Sequence, residues 1–256
     1  VAGFASTSNL EARRRHGVPS AGTSAHSFTL LHDTERDAFR AQVSSLGRGT
    51  TLLVDTYDIA EAVRVAVEVA GPELGAVRRG SGDLGPVARK VVEQLDALGA
   101  TRTRIVATSD LDEHAIVENR AAPVDGYGVG TELVTGSGHP TCGFVYKLVA
   151  RAGADGTMVD VAKKSKDKIS VGGRKHALRR FDEAGVAEAE VIGIGAPPEG
   201  DSNDRPLLVP LVAAGEVVGR EPLERARDRH LRSREELPLK ARRLQRGGPA
   251  IPTVHQ

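Results

Sequence analysis

Tryptophan is absent from the 256-residue chain, and its aromatic side chains are five Phe and three Tyr. A core must therefore be built from Val, Leu, Ile and Ala. The one cysteine, Cys142, excludes an internal disulfide and fits a reducing compartment, so a cytoplasmic location is expected. No apolar run is long enough to span a bilayer and no secretory segment opens the chain, so no membrane partner is expected. Thirty-five Lys and Arg oppose thirty-four Asp and Glu, a formal net charge of +1. That balance provides no global field toward nucleic acid. The only methionine is Met158 and the chain begins at Val1, which suggests processing or an upstream segment. The length suffices for one large domain or two small ones.

What is present is a rhythm. Residues 8–16 read as a helix ending at Gly17, and 34–46 as a helix with Phe39, Val43 and Leu46 on one face and Asp33 or Thr34 as its cap. From there the spacing predicts strand 51–55, helix 58–70, strand 75–79, helix 86–98, strand 103–108, helix 111–119 and strand 123–128. Strands alternating with helices at this spacing argue for parallel βαβ units. Beyond Phe144 the rhythm loosens. Residues 143–150, 190–194 and 206–212 are further strand candidates, and 222–237 reads as a charged helix. The division expected is 1–150 for an α/β core and 151–256 for the remainder with a C-terminal extension.

Each strand of the regular part ends in polar residues: Asp55-Thr56-Tyr57-Asp58, Arg78-Arg79-Gly80-Ser81-Gly82-Asp83, and Ser109-Asp110-Leu111-Asp112. The fourth runs into DGYGVGTELVTGSG, residues 125–138. In α/β barrels the carboxyl ends of the strands share one rim, where sites are built. Each cluster also has a purely structural reading. Ser109 with Asp112, or Asp110 with Glu113, makes a capping box. Asp58 serves as a helix cap, and Ser81-Gly82-Asp83 as a βα turn. The glycine stretch is either a flexible connection or backbone brought close to an anion. It matches neither the dinucleotide fingerprint nor the P-loop.

Two further features carry chemistry. His26 lies among small residues in GTSAHSF, as a structural histidine or as a base or nucleophile whose tautomer a carboxylate such as Asp55 could fix. No histidine pair has zinc-site spacing, so no metal centre is expected. Residues 163–180, KKSKDKISVGGRKHALRR, hold eight basic side chains and one acid. They form either a solvated surface or a phosphate-binding segment. The basic part at 220–246 has no aromatic to stack a base, which argues against single-strand nucleic-acid binding.

GFASTSNLEA, GTSAHSF, LLVDTYD, SGDL, TSDLDE, DGYGVGT, VYKLV, KKSKDKISVGGRK and a closing ELP…ARRLQRGGPAIPT occur in this order. Together they closely resemble the nicotinate phosphoribosyltransferases of bacterial, actinobacterial-looking type, over essentially the whole chain. The resemblance implies an irregular TIM-like α/β barrel of the type II phosphoribosyltransferases, with additional C-terminal strands and a helix, acting as a homodimer. It implies nicotinate, phosphoribosyl pyrophosphate and ATP as substrates, Mg²⁺ as counter-ion, and a transient phosphohistidine in NAD salvage. His26 matches the phosphorylated histidine and Asp55 the carboxylate that orients it. Asp110 matches the ribose carboxylate. Arg78 matches an arginine contacting nicotinate and its developing nucleotide, and Ser81 and Asp83 lie in the same substrate-binding segment. Gly128, Gly130 and Thr131 match the backbone holding the 5′-phosphate. Lys163, Lys164 and Lys168 match a basic segment that reaches phosphates.

Two departures accompany the resemblance. Gly80 stands where the family pattern has an aspartate, and the family's N-terminal domain has no counterpart before Val1. The expectation is therefore a C-terminal barrel portion of the enzyme. The alternatives are a non-catalytic remnant or partner subunit of the same fold, and, less favoured by charge and aromatic content, a phosphate- or nucleic-acid-binding protein.

Overall fold

The computed structural model describes every residue except 1–2, 81–83, 137, 139–140, 166–167 and 244–246. The chain divides into two compact units, Val1–Gly172 and Gly173–Gln256.

In the first unit three helices, α1 (Leu10–His16), α2 (His26–Leu30) and α3 (Glu35–Leu46), precede the regular alternation. It then runs β1 (Thr51–Leu53), α4 (Ile59–Ala70), β2 (Ala76–Arg79), α5 (Leu84–Ala97), β3 (Arg104–Thr108), α6 (Glu113–Glu118), β4 (Gly126–Gly128) and α7 (Thr131–Thr135). The four strands form one parallel sheet in chain order. Neighbouring strands joined through helices are the arrangement of successive staves in an α/β barrel. Helix starts are set by short polar caps. The side chains of Asn9, Thr34, Asp58 and Asp112 each accept a hydrogen bond from the backbone N–H three residues on. At α6 the cap is Asp112, not Ser109 or Asp110, which leaves those two residues outside the capping role.

The apolar faces explain why the sheet forms. Leu52, Val77 and Ile105 stand in register on β1, β2 and β3, and all three are buried. Helix α4 brings Ala62, Val63, Ala66, Val67 and Ala70 against them, α5 brings Val91 and Leu95, and α3 brings Phe39. Each fully buried Val, Leu or Phe contributes about 1.5–3 kcal/mol relative to exposure. Phe39 is thus the chief aromatic contribution to a core that is otherwise aliphatic. On α3 the expected face is only partly used, since Leu46 is exposed.

The remainder of this unit consists of two short antiparallel ribbons. One is β5 (Ala150–Ala152) with β6 (Met158–Asp160), and the other β7 (Lys164–Ser165) with β8 (Lys168–Ile169). The expected strand at 143–150 is not formed. Residues 141–149 are irregular, and Phe144, Val145 and Tyr146 are exposed. An apolar run becomes a strand only where a partner strand supplies backbone hydrogen bonds.

The second unit holds β9 (Lys175–Phe181), β10 (Ala187–Ile194), β11 (Arg205–Pro206), β12 (Val212–Ala213), β13 (Glu216–Val217), α8 (Leu223–Glu235) and β14 (Thr253–His255). Its main sheet has the order β11-β9-β10-β14, with β9 and β10 an antiparallel pair and β14 parallel to β10. Leu178, Ala189 and Val191 form its small core. The expected strand at 206–212 reduces to the end of β11 and the start of β12, because Pro206 and Pro210 cannot donate to a ladder. The charged helix at 222–237 is α8, which has no buried residue.

At Gly75, just before β2, the backbone of the turn ahead of β1 comes so close that a Cβ would lie 2.0 Å from the carbonyl oxygen of Gly49. The nearest atoms all belong to the backbone of Gly49 and Thr50, so nothing flexible is there to yield. Gly75→Ala is therefore expected to destabilise the first unit by about 3 kcal/mol or more, at the upper end of overpacking costs. Urea denaturation of the two proteins measures this.

Candidate functional site

Because β1 to β4 run parallel, their carboxyl ends lie on one edge of the sheet. Asp55 follows β1, Gly80 follows β2, Asp110 follows β3, and Gly130 and Thr131 follow β4. The second ribbon is joined to this edge by a hydrogen bond from the Lys164 N–H to the Thr56 carbonyl, 3.1 Å. Strand alternation then turns Lys163 inward, where it is buried, while the side of Lys164 is exposed.

Asp55 is 1% exposed. A buried carboxylate is tolerable only when paired and hydrogen-bonded. Its Oδ2 accepts from the Lys163 ammonium at 3.3 Å and from the Gly80 backbone N–H at 3.1 Å. The same ammonium lies 3.0 Å from Nε2 of His26, and Nδ1 of His26 lies 3.1 Å from the Thr56 hydroxyl. An ammonium donates only, so Nε2 accepts and Nδ1 carries the proton. His26 is the first residue of α2, which Thr29 and Leu30 anchor through burial. Asp55 Oδ1 stands 3.8 Å from Nε2. The carboxylate thus faces the ring at this distance and shares the Lys163 ammonium with it.

Burial is the main reason the His26 pKa falls to about 4. Asp55 opposes this, while the positive charges of Lys163, Arg78 and Lys147 reinforce it. At neutral pH the ring is a neutral imidazole with its Nε2 lone pair directed at a cation. Arg78 donates from Nε to the Thr108 hydroxyl at 3.0 Å, and from Nη1 to the Thr23 hydroxyl and to the Ser24 carbonyl, 3.3 Å. Its pKa is lowered, chiefly by burial. Arg78 therefore ties the segment ahead of His26 to the ends of β2 and β3.

The structure brings His26, Asp55, Arg78 and Lys163 into one cluster. Asp110 is exposed on the same edge, as are Gly130 and Thr131 at the start of α7. Gly130 has φ −130°, so its backbone does not need the left-handed region. Gly128 is required for a different reason: a Cβ there would lie 2.6 Å from Cγ2 of Thr108. Lys168 lies in β8, with Ser165 as its backbone partner. Ser81 and Asp83 lie outside the described residues. Sequence reasoning missed Thr23, Thr56, Thr108 and Lys147. The three hydroxyls stand within or beside polar clusters that the sequence displays. Lys147 follows an apolar run that offered no signal of its own.

The folded ring resists protonation, whereas an unfolded histidine titrates near 6.5. The stability held by neutral His26 is therefore present above pH 6.5 and lost as the pH falls toward 4. His26→Gln is expected to flatten this part of the stability curve, measured as urea midpoints at pH 7 and pH 4.5. Lys163→Met leaves Asp55 buried without its ammonium. It is expected to cost about 3–5 kcal/mol and to raise the His26 pKa, followed by imidazole NMR.

No family model matches the chain. It is 53% identical to the nicotinate phosphoribosyltransferase pncB1 of Mycobacterium tuberculosis over 99% of its own length and 57% of that protein. It is 38% identical to pncB2 of the same organism over 99% of its length and 55% of that protein. The nicotinate phosphoribosyltransferase of Bacillus subtilis is 38% identical over 72% of this chain and 39% of that protein. Among solved structures, the nicotinate phosphoribosyltransferase of Porphyromonas gingivalis superposes with a TM-score of 0.55 at 21% identity, covering 64% of this chain and 47% of that one. The enzyme of that name from Vibrio cholerae gives 0.51 at 21% identity, covering 65% and 44%. The fold of the chain is accordingly that of the type II phosphoribosyltransferases. Over nearly its whole length the chain is similar to these nicotinate phosphoribosyltransferases, and it spans little more than half the length of the two mycobacterial relatives.

Proposed function

We propose that this chain carries the phosphate-handling part of a nicotinate phosphoribosyltransferase site, joining nicotinate to phosphoribosyl pyrophosphate with ATP in NAD salvage. The observation that carries the reading is the neutral His26, with Nε2 facing Lys163, on the strand-end edge of a chain 53% identical to pncB1. A neutral imidazole is the nucleophilic form. Nε2 bonds to the γ-phosphorus of ATP as the bond to ADP breaks, and the proton stays on Nδ1, which donates it to the Thr56 hydroxyl oxygen. Lys163 then faces the phosphoryl oxygens, a charge-assisted contact. In the transfer step the nicotinate ring nitrogen bonds to C1′ of the ribose while the bond to pyrophosphate breaks. Basic side chains neutralise the leaving group.

Asp110 supplies the ribose contact in this reading, with Ser81 and Asp83 beside it. Gly128, Gly130 and Thr131 hold the 5′-phosphate, and Lys164 and Lys168 extend the basic segment. Arg78 contacts nicotinate once its hydroxyl partners yield to substrate. Among the described residues no group of three or more acidic, His or Cys side chains is placed to hold a metal ion. Mg²⁺ enters only as the counter-ion of the polyphosphate substrates. A homodimer in the cytoplasm belongs to the same proposal.

The test uses ATP labelled on its γ-phosphate. An acid-labile, base-stable adduct is expected on the protein and is expected to be absent from His26→Ala. An adduct that persists in His26→Ala sinks the assignment.

Gly80 favours a second reading, a non-catalytic relative of the same fold, because it takes the place of the family aspartate. A Cβ there would make ordinary van der Waals contacts, the nearest being the Thr108 hydroxyl oxygen at 3.4 Å and Asp55 Oδ2 at 3.5 Å. Under the transferase reading, Gly80→Asp restores a charge-assisted contact and is expected to raise mononucleotide formation about tenfold at equal melting temperature. No mononucleotide from either protein supports the second reading.

A further inference from the structure

Thr108 is the last residue of β3, and no step above uses it. Three neighbouring strands meet at its side chain. It stands in register with Gly128 of β4, where a Cβ would lie 2.6 Å from its Cγ2, so the methyl fills the niche that this glycine leaves. The hydroxyl faces the end of β2. It donates its one proton to the Arg79 carbonyl at 3.2 Å, and its lone pairs are left to accept from Nε of Arg78 at 3.0 Å. Arg78 is a half-buried cation whose partners are all neutral oxygens: Thr108 at Nε, and the Thr23 hydroxyl and Ser24 carbonyl at Nη1. Asp55, the acid whose charge acts on it, is taken by Lys163 and the Gly80 N–H. Nη2 makes no hydrogen bond among the described residues. A cation drawn out of water with only neutral partners favours an anion. The two hydroxyls that hold it are not equally free to yield. Thr23 lies in the irregular segment ahead of α2, whereas Thr108 is fixed by the Arg79 carbonyl on one side and the niche at Gly128 on the other.

We propose that Thr108 is a positioning residue for Arg78. Its hydroxyl keeps Nε in place, while Nη1, released by Thr23 and Ser24, and the uncommitted Nη2 together take the two oxygens of a ligand carboxylate. A fork of this kind works only when the plane of the guanidinium matches the plane of the carboxylate. With Nε held, that plane is set before the ligand arrives, and little side-chain freedom is lost on binding. That the carboxylate is the one on nicotinate rests on the transferase reading above. The hold of Thr108 on Arg78 does not.

The test is ¹H–¹⁵N NMR of the arginine Nε–H groups on the full chain. In the unmodified chain the Arg78 Nε–H is expected as a resolved resonance protected from exchange with solvent. Thr108→Val keeps the shape and removes the hydroxyl. It is expected to speed that exchange about tenfold, as the loss of one hydrogen bond from a charged donor implies. Thr108→Ser keeps the hydroxyl and is expected to retain the protection, which a role in packing alone would not do. Thr108→Ala, which adds no atom, takes the place of Thr108→Val if that variant fails to fold. Nicotinate is then added. It is expected to shift the Arg78 resonance in the unmodified chain and in Thr108→Ser, and to bind about tenfold more weakly to Thr108→Val. Protection in Thr108→Val equal to that of the unmodified chain overturns the proposal. So does a rapidly exchanging Nε–H in the unmodified chain or in Thr108→Ser. No nicotinate-induced shift in the unmodified chain overturns the carboxylate fork. Adduct formation on His26 from ATP is a separate measurement, so failure of the transferase reading is told apart from failure of the hold on Arg78.

Discussion

A carboxylate buried at the end of a strand sets the terms for the rest of the first unit. Asp55 is 1% exposed, and the desolvation of such a group costs several kcal/mol unless it is repaid by an ion pair and hydrogen bonds. Repayment comes from far along the chain. The Gly80 N–H belongs to the end of the neighbouring strand, and the Lys163 ammonium is 108 residues away. Meeting that requirement fixes the β2 end and the β7–β8 ribbon against the β1 end. The Lys164 to Thr56 backbone bond then locks the ribbon in register. The fold and the site are thus held by the same contacts, and a loss in one is a loss in the other.

The consequence for His26 is a compromise between two opposing fields. Asp55 would make the ring basic, yet burial and three cations make it resist protonation. The neutral form wins chiefly because the ring is buried, and Lys163, which shares its ammonium between the carboxylate and Nε2, adds to the effect. The pair presents an ammonium to Nε2, which suits an atom that is to receive a phosphoryl group. The ring keeps its lone pair, and a cation already waits where negative charge would arrive.

How much of this was legible depends on the range of the interaction. The parallel part was readable because short runs with apolar residues alternate with helices at regular spacing, and α4 and α6 begin at short polar caps. Both signals are local. In the second sheet the end of β10 was expected at 190–194, but β9 was hidden because it carries Lys175, His176, Arg179 and Arg180, and so read as a basic stretch. Two of its charges meet acids, Arg179 across the sheet and Arg180 at Asp204. Arg179 stands in register with Glu190 and bonds it at 2.6 Å. The run at 143–150 failed in the opposite sense, having strand composition but no partner. At the site the sequence displayed His26, Asp55, Arg78 and the lysines, but could not choose Lys163 over Lys164. That choice follows from which neighbour a two-residue ribbon turns inward.

The glycine-rich stretch after β4 shows why composition alone misassigns a cause. Read in sequence, its five glycines are either a flexible connection or bare backbone brought close to an anion, and the resemblance favours the second. In the fold, Gly128 has a specific structural reason: the methyl of Thr108 occupies the space a Cβ would need. Thr108 cannot move away freely, because its hydroxyl accepts from Arg78 and donates to the Arg79 carbonyl. Arg78 in turn holds Thr23 and Ser24 ahead of His26. A side chain at position 128 would therefore be felt at His26 through Thr108 and Arg78, without any ligand being present. Gly130, with open space around it and a negative φ, carries no such constraint. A side chain at 130 meets no neighbour within 4 Å, so of the two it is substitution at Gly130 that leaves Thr108 and Arg78, and through them His26, uncrowded.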